Sequence, residues 1–373
     1  MLTNKKIMMI ASTDNMIWQF MIPHIKHLQE LGNEVECVCS KTGFWFDELK
    51  EKYGFIVHEI DFGRNPLKLK NIKAYKNLKK LQKERNFDFV YCQQPVGALM
   101  GRLFAKKFKI PCMYTAHGFH FFKGCGLANK YVYKPVEHWL SKYTDVLVTI
   151  NEEDYQSALK MKAKKVYKIN GIGMSFKKYE DLNETKADIK KSLKINENDF
   201  VIVTIAEFIK RKNYETMLKV IKNLKDKNSN VKFLICGRGR EEENIKKQIR
   251  DLGIECEVDL LGYRKDINRI LTCADLFMLA SYQEGLTLSV IEAMSYGVPC
   301  VVSNVRGNRD LIVDGKGGFV VNPEDDETFA NKILEVSNNP ELCSSFGEFN
   351  KEESKKYTIE KVKSQLEEIY KEM

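Results

Sequence analysis

Short runs rich in Val, Ile and Met alternate with helical stretches along the chain, and the alternation runs through twice. In the first series KKIMMIAS, EVECVCS, FIVHEIDF, FDFVYCQQP, IPCMYTAHG and DVLVTIN are each followed by a helical segment, beginning with the amphipathic stretch 17–31. The second series restarts at FVIVTIAEF and continues through VKFLICGRG, VDLLGY, DLFMLAS, PCVVSNV and GGFVVNP, again with helices between. Strands that are apolar throughout are those covered on both faces, and helical crossovers provide the cover. The pattern therefore predicts an α/β chain with two Rossmann-like domains, which 373 residues accommodate comfortably. The break is expected near 171–180, in KINGIGMSFKKYEDLNETKAD, where two glycines give way to a polar, charged segment. That places an N-terminal domain over 1–175, a C-terminal domain over 176–357, and a last helix, 358–373, returning to the N-terminal domain.

No window holds about 18 consecutive apolar residues, so no membrane span is predicted. MLTNKKIMMIAST reads as a buried first strand rather than a signal peptide. Ten cysteines without a CxxC pair, most of them inside strand-like runs, read as buried reduced thiols of a cytoplasmic protein, with neither disulfides nor zinc. Charge is unevenly spread: residues 1–177 carry 29 Lys/Arg against 16 Asp/Glu, and the remainder carries 31 against 35. The first half is therefore expected to meet something anionic.

Two segments focus that expectation. In RNPLKLKNIKAYKNLKKLQKER, residues 64–85, Ile72, Tyr75, Leu78 and Leu81 form an apolar stripe and Lys73, Lys76, Lys80 and Lys83 a basic one. Residues 120–142 interleave aromatics with lysines, as interfacial segments do. Both suit peripheral contact with an anionic membrane surface. No nucleic-acid module is recognisable, so nucleic acid is not expected as a partner.

Parallel sheets bind ligands beyond the carboxyl ends of their strands, and in a pair of such domains those edges are expected to face one another across a cleft. In SYQEGLTLSVIEAMSYGVPCVVS, 281–303, Glu284 and Gly285 occupy a strand-to-helix turn, and Glu292 lies a little over two turns into the helix. Gly285 lets backbone approach a ligand, and the first N–H groups of the helix, near 286–289, can donate to its oxygens. A carboxylate accepts two hydroxyls at once, which suits a vicinal diol. Spacing alone equally admits two solvated charges.

The run EGLTLSVIE followed by AMSYGVPCVV resembles the signature of retaining GT-B glycosyltransferases of the large glycogen-synthase-like family, family four, close to bacterial capsule and exopolysaccharide glycosyltransferases. The resemblance spans nearly the whole chain and implies a GT-B fold. It implies that Glu284 sits against the donor sugar, that Glu292 binds the ribose hydroxyls, and that backbone at Gly285, Leu286, Thr287 and Leu288 meets the sugar or the diphosphate. In VTIAEFIKRKN, Lys212 matches the phosphate-binding lysine; Glu207 stands where many members have an arginine, with Lys210 or Arg211 as its substitute. Gly237 in CGRGRE borders the nucleotide, and Tyr263 and Arg264 in LGYRKDI lie at the base. In YTAHGFHFFKG, His117 matches the histidine near the reacting sugar, while His120 is either on the acceptor side or merely packed. Trp18, in the loop after the first strand, is placed on the acceptor side, although that loop lacks the paired glycines of many members.

The catalytic set implied is His117, Glu284 and Lys212. No metal motif is found; EDDE at 324–327 reads as the start of a surface helix, where acids favour the dipole. The mechanism implied is metal-independent, with Lys212 and helix N-termini at the diphosphate and no carboxylate nucleophile. No cofactor is expected beyond the nucleotide-sugar co-substrate, a UDP-sugar. The acceptor implied is an undecaprenyl-diphosphate-linked saccharide, and the location is cytoplasmic and peripheral, on the inner face of the plasma membrane. A nucleotide-sugar epimerase on the same fold and a catalytically inert nucleotide-binding scaffold are the rival readings, the second drawing on Glu207.

Overall fold

The computed structural model of the chain describes residues 2–63, 68–176, 183–227 and 229–373. Residues 64–67, which open the basic stretch, and 177–182, in the expected linker, lie outside the described residues. The chain divides into two compact units, Met1–Gly173 with Ile359–Met373, and Met174–Thr358.

The first unit is built on seven parallel strands: β1 (Lys6–Thr13), β2 (Glu34–Ser40), β3 (Ile56–Glu59), β4 (Phe89–Gln93), β5 (Cys112–Ala116), β6 (Val146–Thr149) and β7 (Lys165–Lys168). Their order is β3-β2-β1-β4-β5-β6-β7, so the winding reverses between β1 and β4. Met8 pairs with Glu36 on one side and Val90 on the other. The continuous apolar runs are explained by burial: all five residues of β4 and of β5 are inaccessible, covered on one side by a core that includes Met8, Ile10, Val38, Leu78 and Phe104. The last helix, Ile359–Lys371, belongs to this unit, burying Val362, Leu366, Ile369 and Tyr370. It is held by Leu2 N–H on the Tyr370 carbonyl at 2.8 Å and Asn170 N–H on Gln365 Oε1 at 2.9 Å.

Two helical expectations are corrected here. The stretch expected as one helix over 17–31 opens with a π-helical turn, Ile17–Met21, before the α-helix Ile22–Glu30. In the helix Lys70–Arg85 the buried face is Asn71, Ala74, Leu78 and Leu81, whereas Ile72 is 56% exposed. Each three-residue step falls about 60° short of a full turn, so a stripe begun at Ile72 in solvent rotates round to the core by Leu78 and Leu81. Lys73, Lys76, Lys80 and Lys83 are all exposed.

The second unit has six parallel strands: β8 (Phe200–Ile205), β9 (Val231–Cys236), β10 (Val258–Gly262), β11 (Leu276–Leu279), β12 (Cys300–Ser303) and β13 (Gly318–Val321). Their order, β10-β9-β8-β11-β12-β13, reverses between β8 and β11. The loops after β8 and β11 are therefore the ones brought together at the switch point. All ten cysteines are free thiols. EDDE does open a helix, Asp326–Ser337, whose N-cap Asp325 accepts from Thr328 N–H at 2.9 Å.

Candidate functional site

After β8 the chain makes a short 3-10 turn, Lys210–Lys212, and after β11 it loops through Gln283 and Glu284 into the helix Leu288–Ser295. The two loops are tied by Tyr282 N–H on the Arg211 carbonyl at 2.9 Å. Asn213 strengthens the tie: its φ of 53° places the amide Nδ2 on the Ala280 carbonyl at 3.0 Å and the Pro323 carbonyl at 2.7 Å, while its Oδ1 caps the helix Tyr214–Asp226. On this frame Glu284, 6% exposed, accepts from Lys212 Nζ at 2.7 Å and from Arg211 Nη1 at 3.1 Å. Burial alone would raise the Glu284 carboxyl, but the two cations outweigh it and hold the carboxyl below its usual range.

A third loop, after β12, backs the Glu284 turn. Arg306, buried, donates Nε–H to the Glu284 carbonyl at 3.0 Å. Gly307 has φ +79°, and a Cβ there would stand 2.5 Å from the Gly285 carbonyl oxygen. Thr287 gives its hydroxyl to Asn308 at 2.8 Å and so makes no side-chain cap for the helix it precedes. Arg306 and Asn308 were missed at the sequence level, although RGN follows PCVVS at the same strand edge at which EGL follows DLFMLAS.

The structure thus brings Glu284, Lys212, Arg211, Gly285 and Thr287 together. Glu292 is half-buried further along the same helix. Lys210 is exposed and lines a separate cavity of about 340 Å³ with Glu215, Glu241 and Tyr282. Glu207 is exposed while its neighbour Phe208 is buried. Gly237 follows β9 in a tight turn: a Cβ would meet the Ala206 carbonyl oxygen at 2.0 Å. Arg264 is engaged by Asp266, Nε to Oδ1 at 2.8 Å, and it is Arg238 whose guanidinium stacks over the exposed Tyr263 ring at 4.7 Å.

In the first unit His117 follows β5 and lies 2.6 Å through Nε2 from Gln93 Oε1. Burial, then the neighbouring His24, pull its imidazole below the usual value, so it is neutral near pH 7. His120 is exposed, 5.0 Å from the Tyr133 ring between centroids. Trp18 donates Nε1–H to Glu48 at 2.9 Å and meets the exposed Phe44 edge-on at 6.3 Å. The glycine-poor loop around it is pinned instead by buried Asp14, which accepts from Thr42 N–H at 3.1 Å and Gly43 N–H at 3.2 Å.

His24, 3% exposed, bonds the Ile172 carbonyl at 2.7 Å, and burial lowers its imidazole to about 4. The unfolded imidazole takes a proton below about 6.5 and the folded one only near 4, so stability is present above 6.5 and falls as pH drops between those values. Urea unfolding of the wild type should show about 2 kcal/mol less stability at pH 5 than at pH 7 from this group. The His24→Gln variant should lose that increment of pH dependence; an unchanged pH 5 to pH 7 difference in the variant would remove His24 as its source.

Among the described residues no group of three or more His, Cys, Asp or Glu is placed to hold a metal ion, and no helix is long and apolar enough to cross a membrane.

Residues 185–353 match the family described as Glycosyl transferases group 1, and residues 6–151 match Glycosyl transferase 4-like. EpsD of Bacillus subtilis (strain 168), named as a glycosyltransferase, is 31% identical over 372 residues, covering 98% of this chain and 96% of that one. The UDP-Gal:alpha-D-GlcNAc-diphosphoundecaprenol alpha-1,3-galactosyltransferase of Escherichia coli is 30% identical over 329 residues, covering 85% of this chain and 84% of that one. Among solved structures, Anabaena Alr3699/HepE in complex with UDP and glucose superposes with a TM-score of 0.83 at 17% identity, covering 99% of this chain and 100% of that one. At that identity the likeness concerns the fold, and the fold is GT-B.

Proposed function

The chain belongs to the group 1 glycosyl transferases, and from that premise we propose a retaining, metal-independent transfer of a sugar from a nucleotide donor to a lipid-linked saccharide, in the assembly of a bacterial surface polysaccharide. The donor is a UDP-hexose or UDP-N-acetylhexosamine and the acceptor an undecaprenyl-diphosphate-linked saccharide, the two chemical classes joined in the name of the Escherichia coli relative.

The observation that carries this reading is the buried Glu284–Lys212 pair, with the exposed Arg211 beside it, at the switch point of the second sheet. Two cations against one carboxylate leave a positive balance where a diphosphate gains charge as its bond to the sugar breaks. Lys212 and Arg211, with the amides opening the helix Leu288–Ser295, supply the potential that a metal ion supplies in other transferases. Arg211 then takes the place in which Glu207 replaces an arginine. Glu284 orients the donor sugar, Glu292 the ribose, and the Gly237 turn with Tyr263 borders the base. His117 is assigned to the reacting sugar: its Nε2–H donates to Gln93, which leaves Nδ1 to accept from a sugar hydroxyl.

The acceptor hydroxyl attacks the anomeric carbon on the face that the diphosphate leaves. The bond to phosphate breaks, the new C–O bond forms on that same face, and the hydroxyl proton passes to the departing phosphate oxygen. Configuration is retained without a carboxylate nucleophile. The lysine face of Lys70–Arg85 is assigned to anionic lipid on the cytoplasmic side of the plasma membrane, each lysine near such a surface contributing about 1 kcal/mol.

The test is a transfer assay with UDP-, GDP- and ADP-sugars, bacterial lipid extract or a synthetic lipid-linked acceptor, and EDTA throughout. The expected result is nucleoside diphosphate release with one UDP-sugar, dependent on lipid, giving a lipid-linked product with retained configuration. Loss of turnover in EDTA, restored by Mg²⁺, would overturn metal independence. Tight nucleotide binding without turnover on any synthetic acceptor would favour an inert scaffold, and turnover without acceptor an epimerase.

A further inference from the structure

The first unit holds a cavity of about 260 Å³ bordered by the carboxyl ends of β1, β4 and β5. Its wall is largely apolar, from Val96 and Leu99 of the helix Pro95–Phe108, from Phe119 and Phe121, and from Tyr133 and Val136. Three of its polar side chains are already engaged within the protein. Ser12 Oγ accepts from Gly97 N–H at 3.0 Å, Gln94 Oε1 accepts from Ser12 N–H at 2.9 Å, and Glu137 is bonded by Arg102. A saccharide seated there would leave each hydroxyl that is set against the apolar wall unpaired, at a cost of about 1–3 kcal/mol each. The volume lies at the lower edge of small-ligand pockets, about 300–1,000 Å³, which suits a length of hydrocarbon chain rather than an oligosaccharide.

The same segment that walls the cavity also carries an exposed apolar ridge. Leu127, Tyr131, Val132, Val136 and Trp139 face solvent, Leu127 at 74% exposure, with the exposed Lys130 and Lys134 set between them. Val136 belongs to both, half in solvent and half in the cavity wall, so the cavity opens beside the ridge. An apolar ridge flanked by lysines is complementary to an anionic bilayer, where the rings and aliphatic side chains enter the hydrocarbon and the ammonium groups meet phosphate.

We propose that this cavity receives the first branched five-carbon units of the polyisoprenyl chain of the acceptor, with the 127–139 ridge seated in the bilayer that the chain leaves. The proposal rests on the lipid-linked acceptor assigned above and adds a place for its lipid chain to the first unit, which also carries His117. The chain would be drawn out of the membrane past Val136, and its diphosphate would remain at the mouth, near Lys130 and Lys134.

The test uses the full chain on vesicles of phosphatidylglycerol and phosphatidylcholine with a benzophenone-bearing polyprenyl monophosphate. After irradiation, label is expected in peptides spanning 95–103 and 119–140, displaced by undecaprenyl phosphate and neither by oleate nor by a water-soluble saccharide. Leu99→Trp and Val136→Trp, which fill the cavity, should each lower labelling about tenfold while UDP-sugar binding and the melting temperature stay as in the wild type. Label concentrated in the helix Lys70–Arg85, equal displacement by oleate or saccharide, or undiminished labelling in a filled variant that melts as the wild type does would each overturn the proposal. Should the acceptor reading itself be wrong, the native protein will transfer to no lipid-linked acceptor in the assay above, a failure that the labelling pattern does not mimic.

Discussion

Replacing Lys212 by alanine is expected to lower kcat/KM for transfer about 10²–10³-fold, the loss seen when one preorganised electrostatic group is removed from a reaction centre. Lys212 is buried beside Glu284 at 2.7 Å, and Lys210, two residues away, is exposed and lines a cavity elsewhere, so it is not placed to take over. Two consequences combine. The departing diphosphate loses a cation, and Glu284 is left in a buried place with Arg211 alone at 3.1 Å. The second effect separates from the first by a companion variant. Glu284→Gln should lose transfer to a similar degree yet retain binding of UDP, because the diphosphate still meets both cations, whereas Lys212→Ala should weaken UDP binding as well. Steady-state kinetics together with titration calorimetry of UDP check both. A Lys212→Ala enzyme that keeps more than about one third of wild-type kcat/KM would exclude the role given to this lysine. Lys212→Arg is expected to recover only part of the activity, since a planar guanidinium cannot reproduce a compact ammonium.

The largest effect on stability is expected at Glu137. Arg102 is fully buried, bonds the Ala98 carbonyl through Nε at 3.0 Å, lies over the Tyr114 ring at 4.4 Å, and is matched by the Glu137 carboxylate, Nη2 to Oε2 at 3.1 Å. Burial would lower the guanidinium pKa, but Glu137 more than offsets it, and the group stays charged. Among the described residues Glu137 is the carboxylate paired with that charge, and Glu137→Ala removes it, which costs about 3–5 kcal/mol for a buried ion. Replacing both partners by apolar groups of like shape, Arg102→Met with Glu137→Leu, should bring most of that back, because the uncompensated charge goes with its partner. Urea unfolding of the single and double variants measures the difference. A Glu137→Ala protein within about 1 kcal/mol of wild type would show that water reaches Arg102 and that the pair is not a buried one.

The sheets were legible because their strands are covered on both faces. FVYCQ and LFML contain no solvent-facing position, so burial writes itself into consecutive residues, and the restart at FVIVTIAEF marked the second sheet without any tertiary knowledge. The surface helices were less legible. Ile72 counts as apolar in the sequence, yet only rotation about the helix axis decides that Asn71 rather than Ile72 faces inward. At the site, Glu284 and Lys212 were legible because each lies just past a strand and matches a motif in spacing. What spacing cannot convey is who pairs with whom. Arg264 and Arg238 are both arginines after strands, but Arg264 is claimed by Asp266 two residues on, and Arg238 alone reaches the Tyr263 ring. Lys210 and Arg211 are adjacent in sequence and diverge in space because the 3-10 turn sends successive side chains about 120° apart. The Arg306–Asn308 loop follows a strand with no motif to single it out, and its role rests on backbone: a glycine at +79° that lets one turn lie directly on another.

The chain begins the first unit, builds the whole of the second as one uninterrupted stretch, Met174–Thr358, and only then supplies the helix that completes the first. This sets an order of events on the ribosome. At about 5–20 residues per second, the 185 residues of the second unit take roughly 10–40 s to emerge. Through that interval the nascent first unit has no Val362, Leu366, Ile369 or Tyr370 to cover its open face, while the second unit can already close its own core. Without Ile359–Met373 the second unit keeps a core of its own, while the first is left with an apolar face uncovered, a species fit for a chaperone or a protease. The folding of the first unit thus waits on the translation of the second, and its hydrocarbon stays open until the helix Ile359–Lys371 has been made.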